Sequence, residues 1–174
     1  DIRGGSMIID LKHIFVSDNS SLPLEYALDL SDVDYAGSYP LKEPVKIKGT
    51  VSNSASLVRL EAEISYEFNA PCDRCGRDTA RSHIVTVSKS LASSIEGEES
   101  DTILIVPDMQ LNLDELIYTE VITSLPMKHL CKEDCKGICA KCGKNLNEGK
   151  CDCNQKEIDP RFAALAELLN ENNE

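Results

Sequence analysis

Along residues 58–70, VRLEAEISYEFNA, apolar and polar positions alternate without a break. Val58, Leu60, Ala62, Ile64, Tyr66, Phe68 and Ala70 fall on one face; Arg59, Glu61, Glu63, Ser65, Glu67 and Asn69 fall on the other. Successive side chains of a strand point to opposite faces, so this pattern predicts an antiparallel sheet with one buried and one wet face. SHIVTVSKSL, rich in β-branched residues, follows after PCDRCGRDTA, predicting a long hairpin with that segment at its tip. Residues 7–48 alternate short apolar runs with turn formers (MIIDLKHIFV, SDNSS, LPLEYALDL, SDVDYAGSYP, VKIKGTV) and read as short strands and loops. His13 and His83 then fall on strands.

Residues 113–124 carry the clearest helical period. Leu113, Leu116, Ile117, Val121 and Leu125 recur at helical spacing, Asn112 can cap, Glu115 stands three residues on, and Pro126 stops the run. Asp114 and Glu115 suit the positive end of the helix dipole. SSIEGEESD reads as an acidic loop. At the far end, DPRFAALAELLN predicts a second helix: Asp159 as cap, Pro160 in the first turn, and Phe162, Leu165, Ala166 and Leu169 as an apolar stripe.

Composition fits such a chain. Apolar residues make up 41%, aromatics 5%, and Trp is absent, so the core is aliphatic. The expected class is α+β: an antiparallel β-sheet, barrel-like, with a packed helix, then a Cys-rich zinc-binding segment and a C-terminal helix. By segment, 1–6 (DIRGGS) reads as an expression-tag remnant and 7–127 as the β core, with its helix near 113–124. Residues 128–156 are the metal-binding segment, and 157–174 the terminal helix and tail. No run is long enough to span a bilayer, and MIIDLKHIF is no secretory signal, so a cytoplasmic location is expected.

The formal charge of −12 opposes nonspecific attraction to nucleic acid. It is unevenly spread. Residues 1–127 hold 10 basic and 21 acidic groups (net −11), residues 128–156 hold 7 and 4 (+3), and residues 157–174 hold 1 and 5 (−4). Lys128, Lys132, Lys136, Lys141, Lys144 and Lys150 dot the least acidic segment as candidate phosphate contacts. No aromatic residues interleave them to read bases.

Eight cysteines at close spacing in a reducing compartment point to metal rather than disulfides. CDRCGR at 72–77 and CAKCGK at 139–144 share the pattern C-x-basic-C-G-basic. In such a knuckle a tight turn aims two sulfurs at one ion, and the glycine permits a left-handed backbone. Cys139, Cys142, Cys151 and Cys153 form a self-contained set of four, a first site. Cys72, Cys75, Cys131 and Cys135 are left for a second, which would clip the tail onto the hairpin. Joining the two knuckles, Cys72/Cys75 with Cys139/Cys142, is the competing assignment.

Four thiolates leave no open position, so one or two structural zinc ions are expected and no catalytic metal. An iron–sulfur cluster is the less favoured occupant. His129, two residues before Cys131, could substitute as a ligand but reads rather as a solvated linker residue. Neither C-x-x-C follows a strand and opens a helix as a redox pair would. No G-x-S-x-G, phosphate loop or H-E-x-x-H is present, so no catalytic residue is assigned and a non-enzymatic role is expected.

Taken in order, PCDRCG, CKGICAKCGKNLNEGKCDC and DPRFAALAELL resemble the YceD family of bacterial and plastid proteins. FVSDNSSLPLEYALDLS and LNLDELIYTEVITSLPMKHLC fit the same likeness, which runs from Met7 to about Leu169. The resemblance implies an accessory factor in 23S rRNA maturation or accumulation. Such a factor acts through a ribosomal protein or a protein–RNA junction of the large subunit, without membrane or small-molecule substrate. Direct contact of the zinc segment with pre-23S rRNA is the alternative, and a thiol- or metal-handling protein the further one.

Overall fold

The computed structural model describes residues 6–94 and 102–153. The acidic loop and the expected C-terminal helix fall outside these residues. Its elements are β1 (Ile8–Asp10), α1 (Lys12–Val16), β2 (Ser21–Leu28), β3 (Val45–Ser54), β4 (Leu57–Pro71), β5 (Asp78–Ala92), β6 (Ile103–Ile105), β7 (Gln110–Asn112) and α2 (Leu113–Ser124).

The alternating segment forms β4, the centre of a five-stranded sheet ordered β2-β3-β4-β5-β6. Its even-numbered residues from Val58 to Phe68 are buried, whereas Arg59, Glu61 and Glu63 face water. Val45, Ile47 and Val51 of β3 and Leu24 and Leu28 of β2 extend the same apolar layer. α2 packs across this layer. Asn112 caps it by accepting the Glu115 N–H (3.3 Å), and Leu113, Leu116, Ile117 and Val121 face inward. At its other end the Tyr66 hydroxyl reaches the Ser124 carbonyl at 3.2 Å.

Three features depart from the sequence reading. β6 runs parallel to β5, so the sheet is not purely antiparallel. Among the described residues the barrel-like core is a five-stranded sheet whose ladders do not close, with a separate two-stranded β1-β7 sheet. MIIDLKHIFV is divided: three residues pair with β7, and Lys12–Val16, including His13, turn into a helix. Five residues offer too few apolar repeats to separate a short helix from a strand. The buried Asn53 amide holds this helix by donating to the Ile14 carbonyl at 2.7 Å. Asp114 and Glu115 stand in the first turn of α2 as expected, and Asp114, 3% exposed, also accepts the Met7 N–H at 3.3 Å.

Gly49 lies opposite Ala62 in the β3–β4 ladder. A Cβ there would sit 2.3 Å from the Glu61 carbonyl oxygen and 2.4 Å from the Ala62 Cβ, so backbone must move. Gly49→Ala is expected to lose about 1–3 kcal/mol of stability in a urea titration, in spite of alanine's better strand entropy. Among the described residues no helix is long and apolar enough to cross a membrane.

Candidate metal centres

Cys72–Arg77 join β4 to β5 as a closed turn. The Cys72 N–H donates to the Arg77 carbonyl (2.8 Å), and the Gly76 N–H to the Cys72 carbonyl (2.8 Å), with Gly76 at φ 68°. The tail repeats this turn. Cys139 N–H donates to the Lys144 carbonyl (2.8 Å) and Gly143 N–H to the Cys139 carbonyl (2.9 Å), with Gly143 at φ 72°. The shared C-x-x-C-G pattern thus builds one backbone shape twice. Neither knuckle opens a helix.

The sulfurs of Cys72, Cys75, Cys131 and Cys135 lie within 4.8 Å of one another, and so do those of Cys139, Cys142, Cys151 and Cys153. The two knuckles therefore sit in different groups. In the first group Cys72 and Cys135 sulfurs are 3.8 Å apart and Cys75 and Cys131 sulfurs 3.6 Å. Thiolates at about 2.3 Å from a tetrahedral ion stand about 3.8 Å apart, whereas a disulfide needs about 2.05 Å. All eight thiols are unbridged. Each group has the donors and spacing to hold a metal ion.

The electrostatics of the sulfurs are uneven. Burial pushes the Cys72 thiol up, but backbone N–H groups of Cys131, Cys75 and Arg74 outweigh it and bring the pKa down to about 6. Cys135 follows the same pattern: burial raises it, while the Gly137 N–H and the Asn147 amide lower it further. Burial and the sulfurs of Cys135, Cys75 and Cys72 push Cys131 up to about 12. In the tail group, backbone N–H groups of Cys142 and Lys141 lower Cys139 to about 6, and the adjoining Cys142 sulfur, with burial, raises Cys153 to about 12. A divalent cation shared by four sulfurs relieves that repulsion and displaces the remaining protons.

The first group joins elements far apart in the chain, and a set of polar contacts surrounds it. Arg74 Nη1 donates to the Cys135 carbonyl at 2.8 Å, and Asp73 N–H to the His129 carbonyl at 2.9 Å. His129 N–H returns a bond to Asp73 Oδ2 at 2.7 Å. Gly137, at φ 73°, passes so close that a Cβ would lie 3.1 Å from the Arg74 carbonyl oxygen. Asn147 reaches back from the tail loop: its Nδ2 donates to the Cys135 sulfur at 3.3 Å, and its Oδ1 accepts the Lys136 N–H at 2.9 Å. Arg77 pairs with Glu148 at 2.8 Å.

His129 is not a solvated linker residue. It is 4% exposed, its ring meets Phe68 edge-on at 5.1 Å, and its Nε2 lies 3.1 Å from the Thr79 carbonyl oxygen. Asn147 carries no motif and is not singled out by the sequence; His129 draws attention only by standing two residues before Cys131. Lys128, Lys132, Lys136, Lys141, Lys144 and Lys150 are all exposed. Lys132 pairs with Asp134 at 3.6 Å, and Lys144 donates to the Lys150 carbonyl at 2.9 Å.

This arrangement of knuckles lies within residues 60–169, which match the family model described as large ribosomal RNA subunit accumulation protein YceD. The chain belongs to the YceD family. The matched span starts near the beginning of β4 and takes in all eight cysteines of this YceD chain. A protein of Arabidopsis thaliana named large ribosomal RNA subunit accumulation protein YCED homolog 1, chloroplastic, is 25% identical over 179 aligned positions, 86% of this chain and 54% of that relative. The uncharacterized YlbN of Bacillus subtilis is 28% identical across 75% of this chain and 77% of its own length. An uncharacterized Mycobacterium tuberculosis protein is 35% identical across 42% of this chain, and only 35% of that protein is covered. The chain thus spans about half of the plastid relative and about a third of the mycobacterial one. No solved structure matches this YceD chain.

Proposed function

We propose that this chain is a non-enzymatic accessory factor for accumulation of the large-subunit rRNA, 23S in bacteria, and that it works by binding a ribosomal protein or a protein–RNA junction. The observation that carries this reading is family membership, because the family's name denotes rRNA accumulation rather than a reaction. Acidic charge is in keeping with it: residues 1–127, at net −11, suit a basic client better than RNA itself.

Within this reading the two cysteine groups are structural zinc sites. Cys139, Cys142, Cys151 and Cys153 hold one ion, and Cys72, Cys75, Cys131 and Cys135 the other. Four sulfurs per group favour a closed tetrahedral zinc, with no coordination position left for substrate. Zinc at the Cys72, Cys75, Cys131 and Cys135 group adds a cross-link between the hairpin tip and a segment with little apolar surface of its own. The segments 7–127 and 128–156 are then a β core and a zinc appendage held against it.

One observation favours a second reading, direct contact with rRNA: all six candidate lysines of the zinc segment are exposed. Affinity capture from lysate, with and without nuclease, separates the two. Recovery of a large-subunit protein after nuclease is the expected result. Loss of every ribosomal partner on nuclease treatment would transfer the role to RNA contact, and absence of any ribosomal partner in both arms would reject both.

A further inference from the structure

β5 has an outer edge that its neighbours leave open. It pairs with β4 along its whole length, from Asp78 to Leu91, but with β6 only at Ser90–Ala92. The Cys72 N–H to Arg77 carbonyl bond fixes the phase of the β4–β5 ladder. Odd-numbered residues of β5 bond to β4, and even-numbered ones turn their N–H and C=O groups outward. Ser90 obeys this phase, donating outward to the Thr102 carbonyl at 2.8 Å. Ala80, Ser82, Ile84, Thr86 and Ser88 are all exposed, and among the described residues nothing bonds to their outward main-chain groups. Protein edges are ordinarily blunted by proline, a bulge or an inward charge. β2, at the opposite edge of the sheet, has Pro23; β5 has a continuous register and no proline, and its inner face carries a charge in this stretch only at Arg81, opposite Phe68 near the hairpin tip, so that Ser82–Ser88 is the part left unblunted.

The surroundings define what would pair there. On the wet face the row beside the edge is short: Ser82, Thr86 and Ser88, with Ile84 as a single apolar contact at 69% exposure. One strand further back lie Glu67, Glu63 and Glu61, opposite Ser82, Thr86 and Ser88. Lys48 of β3 faces Glu63, but Glu61 faces Thr50, and Glu67, beyond the end of β3, has among the described residues only the neutral Asn69 amide donating to it at 3.0 Å. A strand added to β5 would be about 9–10 Å from this carboxylate row, a distance that Lys or Arg can close over short neighbours. On the other face, half-buried His83 and Val85 lack a covering strand. His83 stacks on Tyr66 at 5.3 Å, so its ring presents a flat aromatic face.

We infer that the outer edge of β5 between Ser82 and Ser88 is a strand-addition site for an extended protein segment alternating basic and apolar residues. Its basic residues meet Glu61, Glu63 and Glu67, its apolar residues cover His83 and Val85, and its main chain completes the sheet. The inference rests on the ribosomal reading for the supply of such basic segments, while the edge and its charge stand on geometry alone.

A labelled synthetic peptide of alternating Lys and Val, titrated into the full chain, tests it. Thr86→Pro removes one outward N–H and no bond to β4, so the unfolding midpoint should stay near that of the parent while peptide affinity falls about ten-fold. The exposed pair Glu61→Gln and Glu63→Gln, which cannot disturb the core, should weaken binding and flatten its salt dependence. Equal binding of a block-ordered peptide of the same composition would overturn the inference. So would unchanged affinity in both variants, or a concentration-dependent dimer that Thr86→Pro dissolves, since a second copy would then be the occupant. If the peptide result holds but lysate capture recovers no ribosomal protein, the edge site stands and the ribosomal reading falls. If capture succeeds equally with Thr86→Pro, the client docks elsewhere and the edge site falls.

Discussion

Cys135→Ser is expected to release the cysteine-rich segment from the hairpin while leaving the sheet folded. Cys135 is 2% exposed and stands at the junction: its sulfur is 3.8 Å from that of Cys72, and its carbonyl accepts from Arg74. Zinc binding in small thiolate sites supplies about 10–16 kcal/mol, which on the proposed structural-zinc reading would be the main force ordering a segment poor in apolar burial. Exchanging one thiolate for a hydroxyl should weaken the ion's hold by more than the roughly 10–100-fold that even an outer hydrogen-bond partner is worth. After a mild chelator challenge the variant should retain the Cys139 group's ion but lose the other. Lys128 and Lys132 should then become early trypsin sites. An unchanged cleavage pattern would mean that the polar contacts around Asp73, Arg74 and Asn147 suffice without metal.

Ile117→Ala should act on the other half of the molecule. Ile117 is fully buried where α2 crosses the sheet, among Leu60, Ile64 and Val121 of the same apolar cluster. Truncation leaves a cavity in a mainly aliphatic core whose neighbours are already tied into the sheet and the helix, at a cost of about 2–5 kcal/mol. That corresponds to a fall of roughly 10 °C in the unfolding temperature. Zinc content should not change, because Ile117 touches neither cysteine group. A variant that lost zinc at ordinary temperature would show that core and metal centres fold as one unit.

Legibility in the sequence followed the strength of the local signal. β4 was readable because its alternation is long and one face must be dry; a shift by one residue would bury Glu61 and Glu63. α2 was readable because cap, period and Pro126 agree on its limits. The look-alike knuckles were visible as a repeated motif, and their identical hydrogen bonding follows from the glycine each needs at positive φ. α1 and β1 were not readable: β1 is three residues long and pairs with β7, more than a hundred positions away. Nor could spacing decide how the sulfurs group, because Cys72 meets Cys135 only when β4, β5 and the tail are in place. Asn147 and His129 were hidden for the same reason. Their partners are brought near by the fold and not by the chain.

The most direct test of the account is the metal content of the purified chain by elemental analysis. Two closed thiolate groups predict about two zinc ions per chain, with all eight thiols unreactive until the metal is removed. A ratio near one would remove one of the two sites, and a ratio near zero, or iron in place of zinc, would contradict the structural-zinc account.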